Sequence, residues 1–176
     1  VEIEYEVRIP HTYNRFGWHG AITTLTRWYP ILCMYDDKGW RRYPFYIYHQ
    51  PFFSEAAQYS LRLTIPGSYT AVTGCSLEKE TLNPDGTRTV WLRSDAPMRD
   101  LGVGISPDFK RESRSRGGVT VNAYYIDGNR KAAADAAEFA GDMIEFCSAR
   151  FGAYPYKEFN IVPSYLGVGG DQSSGL

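Results

Sequence analysis

Three histidines, His11, His19 and His49, are the side chains of this chain best suited to hold a metal or move a proton, and their spacing supports neither role. A zinc site needs three or four converging ligands. None of the three stands in a His-x-His or His-x-x-x-His relation to another, and His-Glu-x-x-His occurs nowhere, so each is read as a structural side chain. Asp36-Asp37 runs directly into Lys38-Gly39. That is a turn between strands rather than a general acid and base, because neighbouring side chains of a turn do not converge on one substrate atom. No Gly-x-Ser-x-Gly elbow supports a serine nucleophile. Gly102-Val103-Gly104 and the glycine-rich stretch from Gly167 to Gly175 each match only part of a phosphate-binding fingerprint, so no nucleotide site is expected. Cys33, Cys75 and Cys147 have no Cys-x-x-Cys spacing and read as small buried hydrophobes, with a Cys33–Cys75 disulfide left open.

Composition narrows the field further. With 43% hydrophobic residues the 176-residue chain can build a core, which argues against intrinsic disorder. Nineteen basic residues against twenty acidic ones give a net charge of −1, which removes the electrostatic case for a nucleic-acid partner. The local exception, Lys110-Arg111-Glu112-Ser113-Arg114-Ser115-Arg116, reads as a solvated loop beside Gly117-Gly118. No run approaches the roughly 18–20 apolar residues that span a bilayer. The chain opens on Val1-Glu2-Ile3, in the middle of a strand pattern and without Met, and reads as a trimmed piece whose compartment is left open.

The elements that must position any site are mostly strands. Ile3, Tyr5, Val7 and Ile9 alternate with charged residues up to Pro10, the period-two pattern of a strand with one wet face. Tyr59, Leu61, Leu63 and Ile65 repeat it before Pro66-Gly67, and Val119, Val121, Ala123 and Tyr125 before Asp127-Gly128. The apolar runs Trp28 to Tyr35 and Phe45 to Tyr48 read as strands buried on both faces. Asn83-Pro84-Asp85-Gly86 predicts a turn between antiparallel strands over Leu77–Leu82 and Thr89–Leu92. Near Asp127 the period changes. Ala133, Ala136, Ala137, Ala140, Ile144 and Cys147 follow helical spacing over roughly Arg130 to Arg150, with Asn129 or Asp127 as the cap. A short apolar strand, Phe159-Asn160-Ile161-Val162, follows. The fold class expected is mainly β, an antiparallel sandwich or saddle followed by a helix and a strand. Aromatic residues crowd Trp18, Trp28, Tyr29, Trp40, Tyr43, Tyr46 and Tyr48, which read as core or interdomain packing.

Taken in order, several segments resemble the aminopeptidase N family of zinc metallopeptidases (gluzincins). They are Arg15-Phe16-Gly17, Trp28-Tyr29-Pro30-Ile31 and Tyr35 to Trp40, then Tyr59 to Pro66 with Tyr69 to Gly74, and finally Phe151-Gly152 with Tyr154-Pro155-Tyr156. The resemblance covers nearly the whole chain in the family's order. It implies a β-sandwich-like N-terminal domain over 1–127 and a truncated start of a thermolysin-like α+β catalytic domain over 128–176.

The family typically carries Gly-x-Met-Glu near the end of this region, on an extended backbone lining the peptide cleft, and its Glu binds the substrate's α-amino group. Here Gly169-Gly170-Asp171-Gln172 occupies the matching place, with Gln172 where that Glu would stand. A neutral amide supplies no counter-charge to a desolvated ammonium, and Asp171 is the neighbour that could supply one. Gly169, Gly170, Asp171 and Gln172 are therefore the candidate substrate-binding residues, with no catalytic or metal-ligating residue expected in this chain. The resemblance implies zinc-dependent hydrolysis and a peptide substrate for the full-length parent only, and a non-catalytic fragment that has lost its catalytic-domain neighbour and tends to self-associate. The end of the chain reads as a frayed loop. The alternative is a carbohydrate- or protein-binding β-sandwich module of an inactive peptidase homologue, with Trp18 and Trp40 as its platform.

Overall fold

In a computed structural model of the chain, residues 1–42, 44, 53–166 and 169–176 are described. The expected strand Phe45 to Tyr48, together with Tyr43, His49, Gly167 and Val168, lies outside them. Strands form where a neighbour completes their hydrogen bonds. β1 (Phe16–His19) and β2 (Ile22–Leu25) make a hairpin, and β3 (Tyr35–Asp36) pairs with β4 (Gly39–Trp40). Then come β5 (Ser60–Pro66), β6 (Thr70–Thr73), β7 (Ser76–Leu82), β8 (Thr87–Arg93) and β9 (Val103–Ser106). β10 (Lys110–Arg116), β11 (Val119–Tyr125), the helix α1 (Arg130–Phe151) and β12 (Glu158–Ile161) complete the order. The sheets run β1-β2-β9-β6, β5-β8-β7 and β10-β11-β12, all antiparallel except the β11–β12 pair. The fold is mainly β, as its period-two patterns require.

The expected turns are in place. Asn83 to Gly86 joins β7 to β8, with Gly86 at φ 82° and the Asp85 carboxylate accepting from the Thr87 N–H at 2.9 Å. Asp36 to Gly39 joins β3 to β4, the Asp36 carboxylate accepting from the Lys38 N–H at 2.9 Å. Behind β5 and β8 lies a core of Cys75, Val90, Leu92, Met98 and Leu101. A second core of Val121, Ala123, Ala133 and Ala137 lies between α1 and its sheet. Parallel strands need a crossover between them, and α1 is that crossover for β11 and β12. This β11–α1–β12 unit runs across residue 127.

Several expectations need correction. Residues 2–9 form no strand: Ile3, Tyr5, Val7 and Ile9 are all exposed, because no neighbour among the described residues pairs with them. Trp28 to Tyr35 is not a buried strand either. Pro30 lacks the donor a ladder needs, Leu32 is 77% exposed, and only Tyr35 joins a two-residue pairing. The basic stretch 110–116 is strand β10 rather than a loop, turned into β11 by Gly117 and Gly118, both at positive φ. Its arginines reach α1, with Arg114 3.3 Å and Arg116 2.6 Å from Glu138. Asn129 stands at the helix N-cap but makes no side-chain capping bond, while Asp127 is taken by Lys110. All three cysteines are free, and Cys33 is exposed rather than buried.

Candidate functional site

The site grows from one buried amide. Asn160, in β12, is 3% exposed, and its side-chain amide and its backbone N–H have partners. Its Nδ2 donates to the Thr73 carbonyl at 2.9 Å, its Oδ1 accepts from Asn122 Nδ2 at 3.0 Å, and its backbone N–H donates to the Gly175 carbonyl at 3.0 Å. Asn122 is satisfied in turn by the Ser113 hydroxyl, which donates to its Oδ1 at 2.7 Å. A buried polar pair is tolerated only when its hydrogen bonds are made. This one links β6, β11 and the end of the chain.

The end of the chain is docked, not frayed. Gly175, at φ 76°, crosses Gly74 so closely that a Cβ on Gly74 would lie 1.8 Å from the Ser174 carbonyl oxygen. The Ser174 N–H donates to Asp100 at 3.2 Å, and Ser173 and Leu176 exchange backbone bonds of 3.1 and 3.0 Å. The reason a frayed loop was expected, abundant glycine, is the reason it packs: backbone can approach backbone only without side chains between.

Between this segment, β12, β2 and β9 lies a cleft of about 400 Å3. It is lined by Thr24 and Thr26, Val103 and Gly104, the run Phe159 to Val162, Ser164, Gly169 to Ser173, and Leu176. The four candidate residues are thus brought together along one cleft. Gly169, Gly170 and Gln172 are exposed, and the backbones of Gly170, Asp171 and Gln172 make no backbone hydrogen bond among the described residues. Asp171 differs. Its side chain is 12% exposed and its Oδ1 stands 3.2 Å from Nε of Arg15. Spacing gave no signal for this ion pair, since its partners come from opposite ends of the chain.

His11 and His19 belong to one ring cluster. His11 and His19 stack with centroids 5.1 Å apart and planes 11° from parallel, while Tyr165 meets His19 edge-on at 4.8 Å. Tyr13 Oη and His19 Nε2 are 2.9 Å apart. Stacked rings aim their nitrogens side by side rather than at a common point. Among the described residues no three His, Cys, Asp or Glu side chains converge, so these residues do not fit a zinc ion. Cys75 is no better placed as a nucleophile, because burial pushes its thiol up in pKa and leaves it protonated.

Neither a protein-family model nor a curated protein sequence matches the chain. Solved structures do. The M1 zinc metallopeptidase from Deinococcus radiodurans is similar with a TM-score of 0.53 and 19% identity, over 63% of this chain and 27% of that one. A mutant of it bound to a Tyr-Ser-Ala substrate gives 0.53 and 20%, with the same coverage. A two-domain M1 zinc metallopeptidase mutant bound to L-tryptophan gives 0.51 and 20%, again over 63% and 27%. The likeness is one of fold, and the chain spans about a quarter of the length of these structures.

Proposed function

We propose that this chain is the N-terminal part of a zinc aminopeptidase-like protein and forms one wall of its peptide cleft without itself being catalytic. In this reading residues 1–127 are the β-sandwich-like N-terminal domain and 128–176 open a thermolysin-like catalytic domain, the two joined through the β11–α1–β12 unit. The observation that carries it is the cleft lined by Gly169, Gly170, Asp171 and Gln172, on a chain whose fold is similar to M1 zinc metallopeptidases. The backbone of Gly170 to Gln172, which makes no backbone hydrogen bond among the described residues, can bond a peptide backbone, and the cleft's amides and hydroxyls suit one. Zinc chemistry belongs, in this reading, to the parent protein, since the described residues provide no ligand set for it. The chain's own work is to bind and orient.

The test is an amide NMR titration of the chain with trialanine amide. Shifts confined to residues 159–162, 169–173 and Gly104, and weakened by Gly170→Pro, are expected. Shifts elsewhere, or none, overturn the cleft reading. Metal analysis and arylamide hydrolysis accompany it: one equivalent of zinc, or turnover, in the purified chain would falsify the non-catalytic reading. Self-association through the exposed Phe139, Phe146 and Phe151 rings belongs to the same proposal and is read by sedimentation velocity.

A second reading, a glycan-binding module, is favoured by the exposure of Trp18 at 42% and Trp40 at 54%. Trp18 lies against His11 and Trp40 against Tyr35, in two separate ring groups. Glycan binding lost in Trp18→Ala or Trp40→Ala would favour the module.

A further inference from the structure

Asp171 is the one ionisable side chain among the described residues that line the cleft. It is nearly buried and already paired, Oδ1 to Arg15 Nε at 3.2 Å. Arg15 enters from the loop before β1, where its carbonyl accepts from the Thr26 hydroxyl at 3.0 Å, and Thr26 is itself a cleft residue. The pair is therefore tied to the wall. Gln172 beside it carries no charge, and the remaining polar lining groups are hydroxyls and the Asn160 amide.

The cleft so built offers hydrogen bonds and an internally neutralised ion pair, but no unpaired side-chain charge among the described lining residues. An ammonium brought up to Asp171 also approaches the Arg15 guanidinium, so attraction and repulsion largely cancel, while the ammonium loses hydration. An amide or acyl group loses far less and can bond to the backbone of Gly170 to Gln172, which makes no backbone hydrogen bond among the described residues. We propose that the cleft takes an uncharged, extended peptide segment, N-acylated or internal, in preference to a free amino terminus, and that Arg15 sets this preference by holding Asp171. This inference rests on the reading of the cleft as a peptide site.

The experiment compares two ligands that differ only at the amino end, N-acetyl-trialanine amide and trialanine amide. Binding to the chain with its Leu176 carboxyl amidated, because Leu176 lines the cleft, is measured by NMR titration at about pH 6, where an α-amino group is protonated. The acetylated ligand is expected to bind roughly tenfold tighter. Arg15→Gln frees the Asp171 charge and moves the ratio at least about tenfold toward the free amine. Adding Asp171→Asn to Arg15→Gln restores the original preference, which a merely damaged fold would not do. Raising the pH to about 9 deprotonates the amine and brings the two affinities together in the unaltered chain. Equal or tighter binding of the free amine at pH 6, or a ratio that Arg15→Gln leaves in place, overturns the inference while the peptide cleft stands. Binding of neither ligand overturns both.

Discussion

Gly74 and Gly175 meet where two backbones have no room for a side chain, and the cost of filling that space is calculable in kind. Gly74→Ala sets a methyl 1.8 Å from the Ser174 oxygen, so the terminal turn must move. Such overpacking costs about 1–3 kcal/mol, to be read as a lower urea midpoint together with lost NMR shifts at 173–176. Asn160→Ala removes the amide that serves the Thr73 carbonyl and Asn122. Leaving buried groups unpaired costs about 1–3 kcal/mol, and the same urea series measures it. The thiols divide by environment. Exposed Cys33 should react with a disulfide reagent in the native chain, whereas Cys75 should react only on unfolding. Rapid native labelling of Cys75 would contradict its burial. The residue types behind these predictions are plain in the sequence; their partners are not, because Asn122 and Asn160 meet Thr73 only after two sheets assemble.

At the scale of elements, the ties between strands matter more than the strands. Asp95 accepts from the Ser76 hydroxyl at 2.8 Å and the Lys157 N–H at 3.0 Å, with the Lys157 ammonium 3.3 Å away. It thus fastens the start of β7 to the approach to β12. Burial pushes its pKa up, but the Lys157 backbone bond, the Ser76 hydroxyl and the Lys157 ammonium together outweigh it and hold the carboxyl below its ordinary value. A depressed folded pKa means stability that is full above the unfolded value of about 4 and is lost as pH falls through the folded one. Asp95→Asn should therefore be less stable than the unaltered chain near neutrality, with the gap closing as the pH drops below about 4. A gap independent of pH would remove the carboxylate from the account. Arg114 and Arg116 of β10, read from the sequence as part of a solvated loop, pair with helix acids instead. Their alternation with Glu112, Ser113 and Ser115 was visible, but charge does not announce itself as strand until a helix lies across it. The Arg116 stem rests on Gly141, where a Cβ would come within 2.8 Å of its Cγ.

For the molecule as a whole, α1 turns its alanine face to the sheet and leaves Phe139 69% and Phe146 51% exposed beside a groove of about 580 Å3. Phe139→Glu should consequently change unfolding stability by no more than about 0.5 kcal/mol. A loss several times larger would place that ring in the chain's own core. The cleft mixes apolar side chains with hydroxyls, amides and one ion pair, drawing its walls from β2, β9, β12 and the last residues. Its assembly depends on the sheets that hold β2, β9 and β12 keeping their register.

By itself the sequence determined the local structure: the alternating runs of β5 and β11, the turns at Asn83 to Gly86 and Asp36 to Gly39, and the alanine-rich helix. These are set by backbone preference and by a periodicity that a few neighbouring residues suffice to express. The resemblance to the aminopeptidase N family, not the residues alone, singled out Gly169 to Gln172. Only the tertiary structure decided that residues 2–9 find no strand partner among the described residues, that the terminal glycines pack, and that Asp171 is held by Arg15. Each depends on which distant backbone or charge arrives alongside, and a linear pattern carries no record of that meeting.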